Sequence, residues 1–596
     1  MSVRDGGHHP RTSGARNGAH RLEGSAPAPG SPGAHAGFGA EGPGRRRKGP
    51  SRPSVAGAAA VIIVALVAFG FSGGLHVGSA GSPGGSPSAS QTGGLGGASP
   101  LASGGATGSA APSGGPSPST SASPPAAIAD IAFAPVTSFR TGRTAASASD
   151  VSGMPSGASP FASLVLVKAD AAAELGALGV SASALGSHLV TVASADALMT
   201  TLAKHRTWLG FLRADQIGPG VRALAWGATS LFGETRVASL AAWPLHAQLP
   251  VAAGNVAYDP AAAWALYAAG DLGLDRGAAL AIKNHGNDPN YLYDGGTVKI
   301  TGHCKHCSQF GWDLPYTQRT GHAGAVRSLI KGADFAIANM EEVAVKHFTF
   351  HPHGTVFTGN PAYLAGVRDA GFDWVSMANN HVGDFGPTGV LQSMNYLTQY
   401  GLLHGGAGAN TAAAHKPSIV TIKGVKVAML SYDTIAPVYN ATATKAGSAR
   451  MTNAYLKRDI KAARTAGAQV VIVWPHWGVE YTAGPTRTQQ TLAHDAIDAG
   501  ADLVIGNHPH WAQAMEVYRG HPIWYALGNF TFDQTWSEPT MEGISLEFTF
   551  SGSRLVQVWL HPHLVLDWAQ PNFMDPAGSG KVVLDQIFKA SKNLPW

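Results

Sequence analysis

Four times in the second half of this chain a helix-type stretch ends at Gly, a short apolar run follows, and the run stops at residues able to ligate a metal. The first is Lys331-Gly332-Ala333-Asp334, leading through FAIAN to Glu341, and the second is Ala370-Gly371-Phe372-Asp373, leading through WVSMAN to Asn380 and His381. The third is Ala466-Gly467-Ala468-Gln469, leading through VVIVWP to His476, and the fourth is Ala499-Gly500-Ala501-Asp502, leading through LVIGN to His508-Pro509-His510. Gly is favoured just past a helix end because it adopts positive φ at little cost, and apolar runs this short fit parallel strands buried on both faces. The repeating unit is therefore helix then strand. In open α/β sheets ligand-binding residues gather beyond the carboxyl ends of the strands, and the polar residues fall at those positions, which points to a metal site.

Only part of the chain can share that architecture. With 76 Gly and 38 Pro in 596 residues, long stretches need not fold, and position shows which. Residues 1–52 carry nine Lys or Arg against three acidic residues, a net of +6, so a total of +5 leaves −1 for everything after residue 52. The basic balance belongs to the amino-terminal tail, and nucleic-acid binding by the folded part loses its electrostatic support. From Val55 to Phe71 there is no charge, and Arg45-Arg46-Arg47-Lys48 stands just before. A stretch of about 17 residues is the short end of what spans a hydrocarbon core, and the flanking cations predict an uncleaved signal anchor with a cytoplasmic amino terminus. Ser72 to Pro125 has no Asp, Glu, Lys or Arg and is mostly Gly, Ser, Pro and Ala, which predicts a flexible tether with an end-to-end distance on the order of 40 Å. The expected organisation is a disordered basic cytoplasmic tail at 1–53, a transmembrane anchor at 54–71, a tether at 72–126, a small α/β domain at 127–250, the repeating αβ domain at 251–570, and a carboxyl-terminal extension at 571–596. The expected location is the cell membrane, with a single pass and the folded domains outside.

The two cysteines lie in His303-Cys304-Lys305-His306-Cys307. This spacing is open to a disulfide, an accessory metal site or free thiols, and an exported location favours oxidation. In the small domain Leu164–Val167 and Leu189–Ala193 read as strands, and the stretch from Phe211 to Trp226 loosely resembles part of a periplasmic substrate-binding-protein lobe. No catalytic constellation is visible there, which leaves binding, spacing or docking.

The repeating domain opens on an apolar run from Trp264 to Ala269 that ends at Gly270-Asp271, with Gly273, Asp275 and Arg276 close behind. A carboxylate after a strand is a good hard ligand, and Arg276 is placed to meet an anion, although a lone turn Asp is also an ordinary helix cap. His508 and His510 flank a rigid Pro at a strand end, which suits ligation. Asn380 offers an amide oxygen, His381 a proton, and Glu480 a carboxylate to orient His476. His351-Pro352-His353 and His561-Pro562-His563 read as loop and edge structure, and Trp477, Tyr481, Trp511, Trp524 and Tyr525 as core.

The ordered set Gly270-Asp271, Asn339-Met340-Glu341, Ala378-Asn379-Asn380-His381, His476-Trp477-Gly478-Val479-Glu480, Gly506-Asn507-His508-Pro509-His510 and Leu527-Gly528-Asn529-Phe530 closely resembles the CapA family of poly-γ-glutamate capsule biosynthesis proteins, over roughly residues 264 to 565. The resemblance implies a calcineurin-like metallophosphatase fold, a four-layer α/β sandwich holding two divalent ions of the Mn, Fe or Zn type. By that likeness Asp271 and His510 hold one ion, Asn380, His476 and His508 the other, and Glu341 bridges. Two departures stand out. The phosphatase pattern has His where this chain has Gly273, so one ion would lack a ligand or take water or Asp275, and Glu341 replaces a bridging Asp.

The resemblance implies a hydrolase or transferase acting on an anionic capsule or envelope polymer, with His381 protonating the leaving group and Arg276 neutralising substrate charge. Its substrate would be a phosphoester or a γ-glutamyl amide. A non-catalytic polymer-binding or assembly subunit of a capsule synthesis complex is the competing expectation. Solute sensing through residues 128–249 is a third.

Overall fold

The strand Trp264–Leu272 is buried along its whole length because both of its faces are covered. Leu266 and Ala268 point into one apolar cluster, and Tyr267 and Ala269 point into another, as the two-residue period of a strand requires. In the computed structural model, which describes residues 127–251 and 256–595, this strand is central to an eight-stranded sheet. Phe335–Met340, Trp374–Ser376 and Leu403–Gly405 follow it in parallel on one side. The antiparallel Glu542–Ser551, Arg554–Leu566 and Gln570–Phe573 lie on the other. A six-stranded sheet faces it, with Val425–Asp433, Val470–His476, Leu503–Ile505 and His521–Trp524 parallel between antiparallel edge strands.

Between the sheets Trp264, Ile337 and Trp374 pack with Met429, Ile472, Trp474 and Ile505. On the outer faces, Ala281, Ile330, Val367 and Leu397 from helices cover the first sheet, and Leu456, Ile460 and Ala493 cover the second. The order is helix, sheet, sheet, helix, a mixed α/β domain of four layers.

Three of the four glycines after the helices behave as the sequence suggests, and one does not. Gly371, Gly467 and Gly500 have φ of 104°, 91° and 104°, which a side chain would strain. Gly332 does not adopt positive φ; it is the last residue of its helix, and a Cβ there would stand 2.6 Å from the Glu234 carboxylate.

The described residues of the expected extension, 571–595, are not an appendage. Gln570–Phe573 is a strand of the large sheet, and Val583, Leu584 and Ile587 of the helix Lys581–Ala590 enter the inter-sheet core, so the expected boundary at 570 cuts through one packed unit.

The small domain is a six-stranded mixed sheet. Ile128–Ser138 lies between Trp208–Arg213 and Val221–Ala223 and also pairs with His246–Pro250, while Ser163–Val167 and Leu189–Val192 continue the sheet beyond Trp208–Arg213. It docks on the large domain through Gln557, whose amide bonds both the N–H and the C=O of Ala223, and through Arg554, which donates to the carbonyls of Ile217 and Ala214. Val556 enters its core. The expected tail, anchor and tether lie outside the described residues; among the described residues no helix is long and apolar enough to cross a membrane. Cys304 and Cys307 are free thiols here, and their neighbours are spent elsewhere, His303 on Glu538 and His306 on the Gly311 carbonyl.

Candidate metal centre

Each proposed ligand sits at or just beyond the carboxyl end of a parallel strand or in the loop that follows, so five chain segments deliver six side chains to one point between the sheets. Asp271 is placed by the Trp264–Leu272 strand, Glu341 follows Phe335–Met340, Asn380 follows Trp374–Ser376, His476 ends Val470–His476, and His508 and His510 follow Leu503–Ile505. Two groups of side chains converge closely enough for ligand atoms to share an ion: Glu341 with His476 and His508, and Asp271 with Glu341 and His510. Glu341 is common to both.

The Glu341 carboxylate carries the argument for a metal. It is fully buried, and neither oxygen has a hydrogen-bond donor. Its Oε1 instead faces three imidazole Nε2 atoms, those of His476 at 3.5 Å, His510 at 3.7 Å and His381 at 3.9 Å. Burial, and next the charge of Asp271, pushes the Glu341 carboxyl well above the usual carboxylate range, and burial raises Asp271 to about 7. Burial holds His510 down to about 3, and burial together with the neighbouring imidazoles holds His476 and His508 well below the usual range. Two acids that resist losing protons thus face three bases that resist gaining them. A cation resolves both penalties at once, because it favours the ionised carboxylates and uses the neutral imidazole lone pairs.

The donor spacing fits as well. His476 Nε2 lies 2.7 Å from Asn380 Oδ1, 3.2 Å from His508 Nδ1 and 3.5 Å from Glu341 Oε1. These separations bracket the edges, roughly 2.9–3.4 Å, of a coordination polyhedron built on bonds of about 2.0–2.1 Å.

Three side chains orient this set without having been given a role in the sequence analysis, although Asn339 and Asn529 stand in its motifs. Asn339 donates to Asp271 Oδ1 at 2.7 Å and stands 3.3 Å from His476 Nδ1. Asn529 spends its Nδ2 on the Thr540 carbonyl, so its Oδ1 is turned to His510 Nδ1 at 2.9 Å, which leaves the Nε2 lone pair of His510 for the centre. Asp384 accepts from His381 Nδ1 at 2.8 Å and from the Phe357 N–H at 2.7 Å. The Phe357 ring lies 4.0 Å from the His381 ring, so the imidazole is held by a carboxylate on one edge and an aromatic face on another. His381 Nε2 is 2.9 Å from Asn380 Nδ2, while Asn380 Oδ1 turns to His476, so one amide connects the ligand set to the imidazole that stands outside it.

Three expected roles are corrected. Arg276 is not free to meet an anion: its guanidinium pairs with Asp533, donates to the Gly354 carbonyl at 3.0 Å and lies 4.3 Å from the Phe357 ring centroid. It holds one wall of the site. Asp275 is not a substitute ligand, because its carboxylate caps the Arg276–Asn284 helix and accepts from the N–H groups of His351 and Thr358 and from His351 Nδ1. Glu480 does not orient His476; the chain turns at Gly478, with φ of 98°, and leaves Glu480 exposed on the rim. The Gly273 position is filled by a neighbour, since a Cβ there would stand 3.0 Å from the Phe532 ring. Trp477, Trp524 and Tyr525 are core, whereas Tyr481 and Trp511 are half-buried, and Tyr481 stacks 6.1 Å from His510. In the remaining His-Pro-His segments, His351 tethers a loop to Asp275, and His563 is buried within a strand against the Asn529 carbonyl at 2.8 Å.

His508 and His510 both adopt positive φ, 101° and 57°. For residues with a Cβ such conformations cost on the order of 1–3 kcal/mol and persist where the surroundings impose them. In metal-free protein His508→Gly should therefore be more stable than His508→Ala by about 1 kcal/mol, the reverse of the usual order, as read from chemical denaturation midpoints. An Ala variant as stable as the Gly variant would show that position 508 is not strained.

Residues 265–534 match the family profile described as bacterial capsule synthesis protein PGA_cap. The capsule biosynthesis protein CapA of Bacillus anthracis is 30% identical over 270 residues, which are 44% of this chain and 64% of that one. The PGA biosynthesis protein CapA of Bacillus subtilis (strain 168) is 29% identical over 215 residues, 36% of this chain and 57% of that one. The chain thus spans less than two thirds of the length of either relative. Among solved structures, the calcineurin-like phosphoesterase YfkN from Bacillus subtilis aligns with 56% of this chain and 97% of that chain at 11% identity and a TM-score of 0.26, a likeness too slight to carry an argument. Family profile and relatives agree on the segment that builds the centre: residues 265–534 form a domain similar to the CapA family of bacterial capsule synthesis proteins.

Proposed function

We propose that this protein is a metal-dependent hydrolase or transferase acting on an anionic capsule-type polymer, of the poly-γ-glutamate class named for its relatives, in a domain of the calcineurin-like metallophosphatase kind. The observation that carries the proposal is the buried Glu341 carboxylate, without a donor and shared by two ligand groups. Asp271, Glu341 and His510 would hold one ion, and Glu341, Asn380, His476 and His508 the other. Mixed carboxylate, amide and imidazole donors suit Mn, Fe or Zn. When bound, such a pair supplies Lewis acidity and charge compensation for an anionic scissile group.

The chain's own groups do the rest. Asn339 and Asn529 fix the orientation of the ligands, Arg276 and Phe357 wall the site, and His381, held at Nδ1 by Asp384, accepts from Asn380 Nδ2 at Nε2, the atom through which it would pass a proton once that amide lets go. The domains are proposed to act outside the cell, held by the anchor expected at 54–71 in a capsule synthesis complex, and protease treatment of intact cells checks this by the fragment it releases.

One observation favours a second reading, a non-catalytic subunit that captures or assembles the polymer. Phe532 occupies the space beside Gly273 and leaves the Asp271 side of the centre with three candidate ligands. Metal analysis, followed by turnover measurements on phosphodiesters and poly-γ-glutamate with the metal restored, tests the two. Bound metal with turnover of either substrate is expected. Bound metal with no turnover of either supports the assembly subunit, and a chain that binds no metal removes both readings.

A further inference from the structure

The described part of the chain is close to electrically neutral, but its cations are not evenly spread. Two adjoining cavities of about 670 and 450 Å³ lie between the small domain and the large one, and both are lined by Arg140 and Arg206. Lys204 and Lys592 line the first, Arg143 and Lys581 the second. Against these six cations the two cavities present only Asp196 and Asp585 as acids, and Asp585 is already paired with Lys581. A further cation on the rim, Arg519, is neutralised by Asp498 at 2.7 Å. Lys204, Arg206 and Lys592 are exposed and form no ion pair among the described residues.

The wall behind the groove is short of negative charge too. Arg222 is buried to 1% exposure, its Nε and Nη2 have no hydrogen-bond partner, and its guanidinium lies 5.0 Å from the centroid of Phe139, a residue lining the first cavity. An uncompensated buried guanidinium is costly, and negative charge across one aromatic ring would offset part of that cost.

We propose that this inter-domain groove is a binding site for a linear polycarboxylate, separate from the metal centre. The separation follows from topology. Arg519 and Gly520 precede His521–Trp524, a strand parallel to Leu503–Ile505, whereas His508 and His510 lie beyond the carboxyl end of Leu503–Ile505, so the groove and the metal centre are at opposite ends of the sheet. The shape favours a chain over a single ion. Arg140 and Arg206 form the wall common to both cavities, and the other cations extend to either side, so a polymer with a carboxylate on every repeat meets them in succession. Arginine and lysine on open walls hold such a ligand by charge and by forked hydrogen bonds, with marked salt dependence. The choice of polymer rests on the function proposed above; the groove itself does not.

The test is equilibrium binding of poly-γ-glutamate to the full chain at low and physiological salt, in wild type, in the double variant Lys204→Glu/Arg206→Glu and in Glu341→Gln. Both reversed residues are exposed, so folding should survive, which circular dichroism checks. The double variant should bind roughly tenfold more weakly or worse, because like charge then faces the polymer, and Glu341→Gln should bind as wild type does. Unchanged affinity in the double variant overturns the proposal. So does equal or tighter wild-type binding to single-stranded DNA or to phosphatidylglycerol vesicles, which would mark a general anionic surface. If affinity falls in Glu341→Gln and not in the double variant, the polymer is held at the metal centre and the groove is not its site. If the double variant alone weakens while no variant affects turnover, the catalytic proposal fails and the groove stands.

Discussion

Replacing His381 with Ala should lower turnover by roughly 10²- to 10⁴-fold while leaving the bound metal in place. His381 is the one imidazole facing Glu341 that belongs to neither ligand group, and Asp384 rather than the ligand set holds its Nδ1. Removing it should therefore cost a proton donor and not a ligand. The loss should be smaller for substrates whose leaving groups need no proton, and kcat should fall with little change in KM. Asp384→Asn should reproduce part of the loss, since an amide can offer Nδ1 a poorer acceptor or the wrong partner. The Asn380 amide complicates the outcome in a useful way, because it bonds His381 through Nδ2 and His476 through Oδ1. Metal loss in His381→Ala would mean that this amide needs the imidazole to present its oxygen, and His381 would then be a positioning residue.

The distinction between ligand and proton donor was only half visible in the sequence. The strands were legible because residues such as Leu266 and Tyr267 are buried on opposite faces, which produces continuous apolar runs, and the ligands were legible because each run stops where the polar residues begin. Local pattern carries that much. What it does not carry is the register between strands far apart in the chain. Asn339 reaches Asp271 because the two are paired across parallel strands, and Asn529 reaches His510 because its strand lies against the same Asp271.

The three misassigned side chains show the converse, that nearness in sequence to a ligand says little about direction. Asp275 follows Asp271 by one turn of chain, but a helix begins there and the backbone N–H groups around it claim its oxygens. Arg276 is claimed by Asp533, which is remote in sequence. Glu480 follows His476 on the same segment and is carried outward by the turn at Gly478.

The Glu341→Gln variant should reverse its effect on stability with the presence of metal. With metal supplied, the variant should lose the carboxylate shared between the two groups, hold at most one ion, and lose several kcal/mol of transition-state stabilisation, roughly 10³-fold or more in rate. Without metal it should be the more stable protein at pH 8. The folded-state pKa of Glu341 is raised by burial, so the folded protein retains a proton that the unfolded chain releases above about pH 4.3. The folded state then binds more protons than the unfolded state, and stability falls by about 1.4 kcal/mol per pH unit between the two pKa values. Gln has no proton to retain and escapes this decline.

The imidazoles act in the other direction. Their folded pKa values lie below the unfolded one, so they destabilise the fold only as pH falls below about 6.5, and the window from pH 6.5 to 8 reports the carboxylates alone. Asp271, raised to about 7 by burial, titrates in both proteins but interacts with Glu341, so the difference between the two curves reports the pair and not Glu341 by itself. Thermal midpoints measured across that window in chelator should therefore diverge with rising pH, the variant above the wild type, and should cross over when Mn or Zn is returned. Parallel midpoints in chelator would mean that Glu341 is solvated or paired in solution. The buried carboxylate would then no longer argue for a metal, and the case for the centre would fall back on the spacing of His476, His508 and Asn380 alone.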